Sequence, residues 1–367
     1  MSSPHPSHGD FLLAACQGGA EEALVARQRE LLPDLARAAW RRGVVTFRLP
    51  AGLRPPGPAA LEELVFARTV VRSFGQVADA DETARVAKLH ALAGPSAWDD
   101  IHVWNRDPRL EGDPAAVRAA LVAALDPDRR RALEAAAAGG TVPGGLVLDC
   151  VVDAPDRWWA GWHVADTPAG RWPGGVYPGR LPERTVSRAW LKLDEALAAF
   201  DVAFEPGSRA VELGAAPGGA CQRLLEAGLV VVGIDPAVVA DPVATHPRFE
   251  QWRMRARDAK LRDLRGFDWV VADMNIDPKS TLEAIERVVS AGGRPPRGIL
   301  ATLKLPTWSR AAELPGWLAR VAAWGYAPRA RQLSTAGREI CVCAVRGGAR
   351  RAGVSRRRPP ARRPPGR

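Results

Sequence analysis

Cysteine is scarce in this chain and shows no pattern. The five residues (Cys16, Cys150, Cys221, Cys341 and Cys343) are odd in number, form no CxxC pair and share no ligand spacing with the six histidines. That argues against a disulfide framework and a zinc site, so the expectation is a reduced protein with no metal. Long hydrophobic runs are missing too: none reaches the ~18–20 residues that span a bilayer. The start, Met1-Ser2-Ser3-Pro4-His5, has no basic flank followed by an apolar core, which leaves no secretion signal to read. A cytoplasmic protein without membrane attachment is expected. What is present, 367 residues with 47% apolar and 25% charged, is globular composition, long enough for two or three units.

Acidic residues are absent from the C-terminal stretch Arg346 to Arg367, which holds nine arginines, so the other 345 residues carry only +1 of the net +10. Its Pro, Gly and Arg content builds no core and reads as a disordered tail. Such a tail could track phosphates by counterion release, or be solvated without a specific partner. Lysine is the other scarcity: Lys88, Lys192, Lys260, Lys279 and Lys304 are the only five among 51 basic residues. Where arginine serves nearly every need for positive charge, a lysine raises the question of what arginine cannot do, and the main answer is to lose its proton.

Hydrophobic periodicity divides the chain into an N-terminal α+β subdomain (1–57), an α+β region (58–157), a Trp- and Pro-rich connector (158–184), an α/β domain (185–346) and the tail (347–367). A helix is predicted over Leu24 to Arg42, strands over Val44–Leu49, Leu64–Arg68, Asp100–Trp104 and Gly145–Val152, and helices over Asp81–Ala93 and Pro114–Leu125. Trp158-Trp159-Ala160-Gly161-Trp162 could stack single-stranded bases, although a strand packing its tryptophans into a domain interface is the plainer reading. Downstream, Ser187 can cap a helix from Arg188 to Phe200. Apolar strands at Arg209–Leu213, Leu229–Ile234, Phe267–Ala272 and Gly298–Leu303 alternate with helices, and two more strands come after them at Arg329–Leu333 and Glu339–Val345. That alternation is the pattern of a mostly parallel sheet covered on both faces. Ligands of such sheets sit outside the carboxyl ends of the strands, where Asp235, Asp273 and Lys304 fall.

Glu212-Leu-Gly214-Ala-Ala216-Pro217-Gly218-Gly219 is a glycine turn between strand and helix, but not GxGxxG. An acid beside the turn repels a pyrophosphate and tolerates a cationic amino-acid cofactor. Asp235 can accept from both ribose hydroxyls of a nucleoside and Asp258 from an adenine amino group, a combination that fits S-adenosylmethionine better than a dinucleotide. Lys192, Asp273, Lys304 and Glu339 complete the pattern. A lysine can take a proton from an attacking sugar hydroxyl if burial and a neighbouring cation depress its pKa.

The order Lys192–Asp273–Lys304–Glu339, together with the turn at Glu212 to Gly219, resembles Rossmann-type 2′-O-ribose methyltransferases. Ser187-Arg188, Leu191-Lys-Leu-Asp-Glu-Ala196, Ala272-Asp-Met274, Leu303-Lys-Leu-Pro306 and Arg338-Glu339 narrow the resemblance to the bacterial ribosomal RNA large subunit methyltransferase M family. It covers about Trp159 to Val345, with Glu212 and Ala216 standing where the family often has Asp and Cys. The resemblance implies a Rossmann-like α/β methyltransferase domain preceded by an α+β, THUMP-like RNA-binding region. It implies 2′-O-methylation of a cytidine in 23S rRNA, naked or in an early large-subunit precursor; the oligomeric state stays open, with a monomer favoured. Lys304 would be the proton acceptor, with Lys192, Asp273 and Glu339 completing the tetrad. Ser187, Glu212, Gly214, Ala216, Pro217, Gly218, Gly219, Asp235, Asp258 and Asp273 would hold S-adenosylmethionine. The same chemistry on another RNA, or a non-catalytic RNA-binding factor on this scaffold, are the alternatives.

Overall fold

In the computed structural model, residues 10–53, 55–94, 98–137 and 140–347 are described, with backbone alone at 136 and 137. Two seven-stranded sheets make up the molecule. The first takes β1 (Phe11–Cys16), β2 (Ala36–Arg41), β3 (Val44–Arg48), β4 (Ala67–Ala78), β5 (Asp100–Asn105), β6 (Leu146–Ala154) and β7 (Arg157–Val164), in the order β2-β3-β1-β4-β7-β6-β5. Only β5 and β6 pair in parallel. Helices α1 (Glu21–Leu31), α2 (Pro58–Glu62), α3 (Glu82–Ala93), α4 (Pro114–Ala123) and α5 (Pro127–Ala137) connect its strands. The side chains of Asp81 and Asp113 accept from amides of the first turns of α3 and α4, which is why those helices start where they do.

Several expectations are corrected by this sheet. The helix expected over Leu24 to Arg42 ends at Leu31, and Ala36–Arg41 is an edge strand. Arg41 pairs with Val44 across a two-residue turn, Arg42-Gly43, whose glycine has φ 87°; ladder hydrogen bonds override the helical preference of an Ala/Arg stretch. The strand expected at Leu64–Arg68 begins at Ala67. The tryptophan run is no platform for bases: it is strand β7, within the first sheet rather than in a connector, and Trp158 and Trp162 are among the largest fully buried side chains. One sheet draws strands from both 1–57 and 58–157. The arginine-rich tail lies outside the described residues from 348 onward.

The second sheet has the order β10-β9-β8-β11-β12-β14-β13. Its strands are β8 (Arg209–Leu213), β9 (Val230–Ile234), β10 (Phe249–Trp252), β11 (Trp269–Ala272), β12 (Gly298–Lys304), β13 (Tyr326–Arg331) and β14 (Glu339–Arg346). β10 is a strand the sequence did not announce, and β13 ends two residues before the expected Leu333. Helices α6 (Ala189–Phe200), α7 (Gly219–Glu226), α8 (Asp241–Ala244), α9 (Pro278–Val289) and α10 (Leu314–Ala323) accompany it. The five strands from β10 to β12 run parallel, whereas β14 pairs antiparallel with both β12 and β13. This is an α/β, Rossmann-like domain. Its strand order reverses between β8 and β11, which opens a crevice at their carboxyl ends. One apolar cluster runs from Leu12, Phe47 and Phe66 of the first half to Val211, Ile299 and Trp317 of the second, so the two sheets share a core.

Candidate active site

The crevice is built from the segments just past the carboxyl ends of the parallel strands. After β8 the chain turns through Gly214–Gly218 into α7. Gly218, at the N-cap, has φ 120°, a conformation side chains with a Cβ rarely adopt. A Cβ on Gly219 would come within 2.2 Å of Ser187 Oγ, so a bare glycine lets Ser187 close on the start of α7. α6 starts at Ala189, one residue later than expected, and Ser187 Oγ accepts from the Ala189 amide at 3.4 Å, as a capping side chain does. Asp235, after β9, accepts from the amides of Ala216 (3.2 Å) and Ala237 (2.8 Å), tying the glycine turn to the neighbouring strand end. Each carboxylate oxygen keeps a further lone pair for a ligand. Asp258 sits in a short turn after β10 with an exposed side chain, 3.8 Å from Arg257 Nε.

Glu212, in β8, is 1% exposed, and its Oε2 is buried without a hydrogen-bond partner. Burial pushes its carboxyl up to about 8, a hydrogen bond with the Cys221 thiol opposes this, and the charges of Asp273 and Asp235 add to it. The carboxyl is thus a neutral group that a cation beside it would convert to a carboxylate.

Four side chains meet beside this turn. Lys304 Nζ donates to Asp273 Oδ1 at 2.8 Å and to Glu339 Oε2 at 2.5 Å. Lys192 Nζ pairs with Glu339 Oε1 at 3.2 Å and with Asp273 Oδ2. Two ammoniums and two carboxylates alternate around a square. Lys304 and Glu339 are cross-strand partners in the β12–β14 ladder, Asp273 comes directly after β11, and Lys192 belongs to the second turn of α6. Burial opposes ionisation of Asp273, but Lys192 and Lys304 outweigh it and hold the carboxyl below its ordinary range. Lys304 departs from expectation in the ligand-free protein. Burial lowers its pKa, yet Asp273 and Glu339 outweigh burial and leave it above the usual 10.5.

Sequence reasoning missed the brace behind this square. Glu195, fully buried on α6, accepts from the amides of Ser334 (2.7 Å) and Thr335 (2.8 Å) and from their hydroxyls at 2.9 and 2.6 Å. It joins the helix bearing Lys192 to the loop that leads to Glu339. The next residue back, Asp194, accepts from Tyr177 Oη at 2.5 Å and Arg223 Nε at 2.7 Å. No local signal could have exposed these pairings, because the partners of Glu195 lie about 140 residues away.

Residues 185–306 match the FtsJ-like methyltransferase family. Over 297 residues the chain is 31% identical to the ribosomal RNA large subunit methyltransferase M of Halorhodospira halophila, covering 78% of this chain and 81% of that protein. Proteins of the same name from Azoarcus sp. and Xanthomonas axonopodis are 29% and 27% identical. They span 83% and 91% of this chain, and 87% and 99% of their own lengths.

Proposed function

Because the chain belongs to the ribosomal RNA large subunit methyltransferase M family, we propose that it methylates the ribose 2′-oxygen of a cytidine in 23S rRNA, with Lys304 as the general base. The protein is an S-adenosylmethionine-dependent rRNA methyltransferase. The observation that carries the catalytic assignment is the square of Lys304, Asp273, Lys192 and Glu339 at the switch point of a parallel sheet, beside a glycine turn.

The residues present suit the cofactor. The unpartnered Glu212 Oε2 is an acceptor waiting for a cation, and each oxygen of Asp235 keeps a lone pair beyond its amide contact for a ribose hydroxyl. Ser187, Glu212, Gly214, Ala216 to Gly219, Asp235, Asp258 and Asp273 would hold S-adenosylmethionine, which when bound supplies a methyl group carried on a sulfonium cation. Beside that cation Glu212 would give its proton to solvent and stay ionised, and Asp235 would accept from the ribose hydroxyls while its amide contacts keep the turn in place.

Lys304 starts as an ammonium shared between two carboxylates. A second cation in the crevice disfavours that charge, and so does exclusion of water by the RNA. The ammonium passes its proton to solvent before the RNA closes the crevice, and the neutral amine, still aimed by Asp273 and Glu339, then accepts the 2′-hydroxyl proton. Lys192 keeps both carboxylates in place as Lys304 changes charge. Positioning of the two reactants supplies most of the acceleration and base assistance the remainder. The first sheet acts as a THUMP-like RNA-holding region, and the protein works as a cytoplasmic monomer on naked 23S rRNA or an early large-subunit precursor. Mapping ribose methylation across rRNA in a deletion strain, before and after restoring the gene, tests this. One 23S cytidine should lose and regain its mark; an unchanged map would overturn the proposal.

A further inference from the structure

A cavity of about 220 Å³ opens where the two sheets meet, and none of the four catalytic side chains lines it. Its floor is formed by β4 and β7, and Arg331, the last residue of β13, enters from the second sheet. Arg68, Arg72 and Arg331 line it against two acids, Glu62 and Asp166, so its charge is net positive. Arg331 donates to the Arg68 carbonyl, which brings the two arginines together. The Arg68 Nε is buried with no hydrogen-bond partner. Burial lowers the guanidinium pKa of both, with the Glu195 charge a weaker opposing influence on each. Part-buried guanidiniums with no carboxylate in ion-pair contact among the described residues leave donors unspent, and their planar fork matches a tetrahedral oxyanion.

We propose that this cavity is a phosphate-binding pocket in which Arg68 and Arg331 hold a backbone phosphodiester of the substrate RNA. The inference rests on the RNA methyltransferase reading and adds the place where the strand is gripped. The β-ladder sets the reach. Lys304 faces Glu339, and Arg331 faces Cys341, two residues further along the same strand. At ~4.8 Å per strand and ~3.3 Å per residue, Arg331 lies about 12 Å from Lys304. An RNA strand with its ribose at Lys304 therefore passes the pocket within a few nucleotides.

The test is equilibrium binding of a single-stranded 23S rRNA fragment to the full chain across a salt series, with inorganic phosphate as a second probe. In Arg331→Gln or Arg68→Gln the slope of log K against log salt should shrink by about 0.7, the loss of one phosphate contact. Arg331→Lys keeps the charge but not the fork, so it should keep the slope while affinity falls severalfold; it carries the test if the Gln variants do not fold. Inorganic phosphate should compete with RNA for the wild-type protein and raise its melting temperature, and should do neither for Arg331→Gln. Phosphate protection with an unchanged RNA slope would assign the pocket to free phosphate and overturn the RNA contact. An unchanged slope with no phosphate effect would overturn the pocket altogether. Wild-type protein that binds RNA with the predicted slope but methylates none would sink the enzymatic reading and leave the pocket standing.

Discussion

Replacing Lys304 would separate the two functions proposed for the crevice. The square is formally neutral, with two ammoniums against two carboxylates. Lys304→Ala leaves it at net −1 beside the place where a sulfonium would sit, so affinity for S-adenosylmethionine should hold or rise. Methyl transfer, by contrast, should fall ~10²–10⁴-fold, the usual worth of a general base, or about 3–5 kcal/mol of barrier. Lys304→Arg should fall as far, because a guanidinium keeps its proton at any working pH. Calorimetry of cofactor binding and single-turnover transfer of a labelled methyl group to transcribed rRNA read the two quantities separately. The pH profile adds a second arm. Since kcat/KM for S-adenosylmethionine reports the ligand-free enzyme, and there Lys304 titrates above 10.5, log(kcat/KM) should climb about one unit per pH unit above pH 8, where Glu212 is already ionised, and more steeply below it. Turnover by Lys304→Arg within tenfold of wild type, or a flat profile, would refute the reasoning.

Three further perturbations probe buried ionisable groups. The Glu212 carboxyl titrates near 8 in the fold against an ordinary 4.5, so its contribution to stability is complete below 4.5 and drains away as pH rises through 8, by about 1.4 kcal/mol per unit. Ligand-free Glu212→Gln should therefore melt above wild type at pH 8, with the gap closing near pH 4.5; a gap independent of pH would show that Glu212 is charged in the fold. Glu195→Ala strands four donors of Ser334 and Thr335 and should cost at least about 3 kcal/mol in urea unfolding; an unchanged midpoint would count against the brace. His163 faces Asp149 Oδ2 at 2.5 Å and the Gly170 carbonyl at 2.7 Å, and although burial lowers its pKa, Asp149 raises it above 6.5. Its stabilisation should be intact below pH 6.5 and lost as pH climbs through the raised value, so thermal scans of wild type should converge on those of His163→Gln in alkali, and parallel curves would contradict this.

The second half of the chain was readable because parallel strands are short unbroken apolar runs with ligands gathered at their carboxyl ends, so Asp235, Asp273 and Lys304 could be placed there before any geometry was known. The scarcity of lysine then singled out Lys192 and Lys304. The edge strand Ala36–Arg41 was not readable, since all six residues are exposed and leave no alternation to detect. β10, four residues long and only partly covered, hides for the same reason. The direction of the Lys304 titration was missed because it depends on two carboxylates standing closer than any other charge, a matter of distances that no spacing encodes.

Half of the reactive square is fixed by a single rung of the β12–β14 ladder, the one that sets Lys304 opposite Glu339. Side chains alternate between faces along a strand, so parity decides whether the two can meet. An insertion or deletion of one residue within Glu339–Val345 would turn Glu339 to the far face of the sheet, whereas a change of two would return a side chain to the near face, displaced along the strand. Lineages descending from this sequence should accordingly tolerate an even-numbered length change inside β14 more readily than an odd-numbered one.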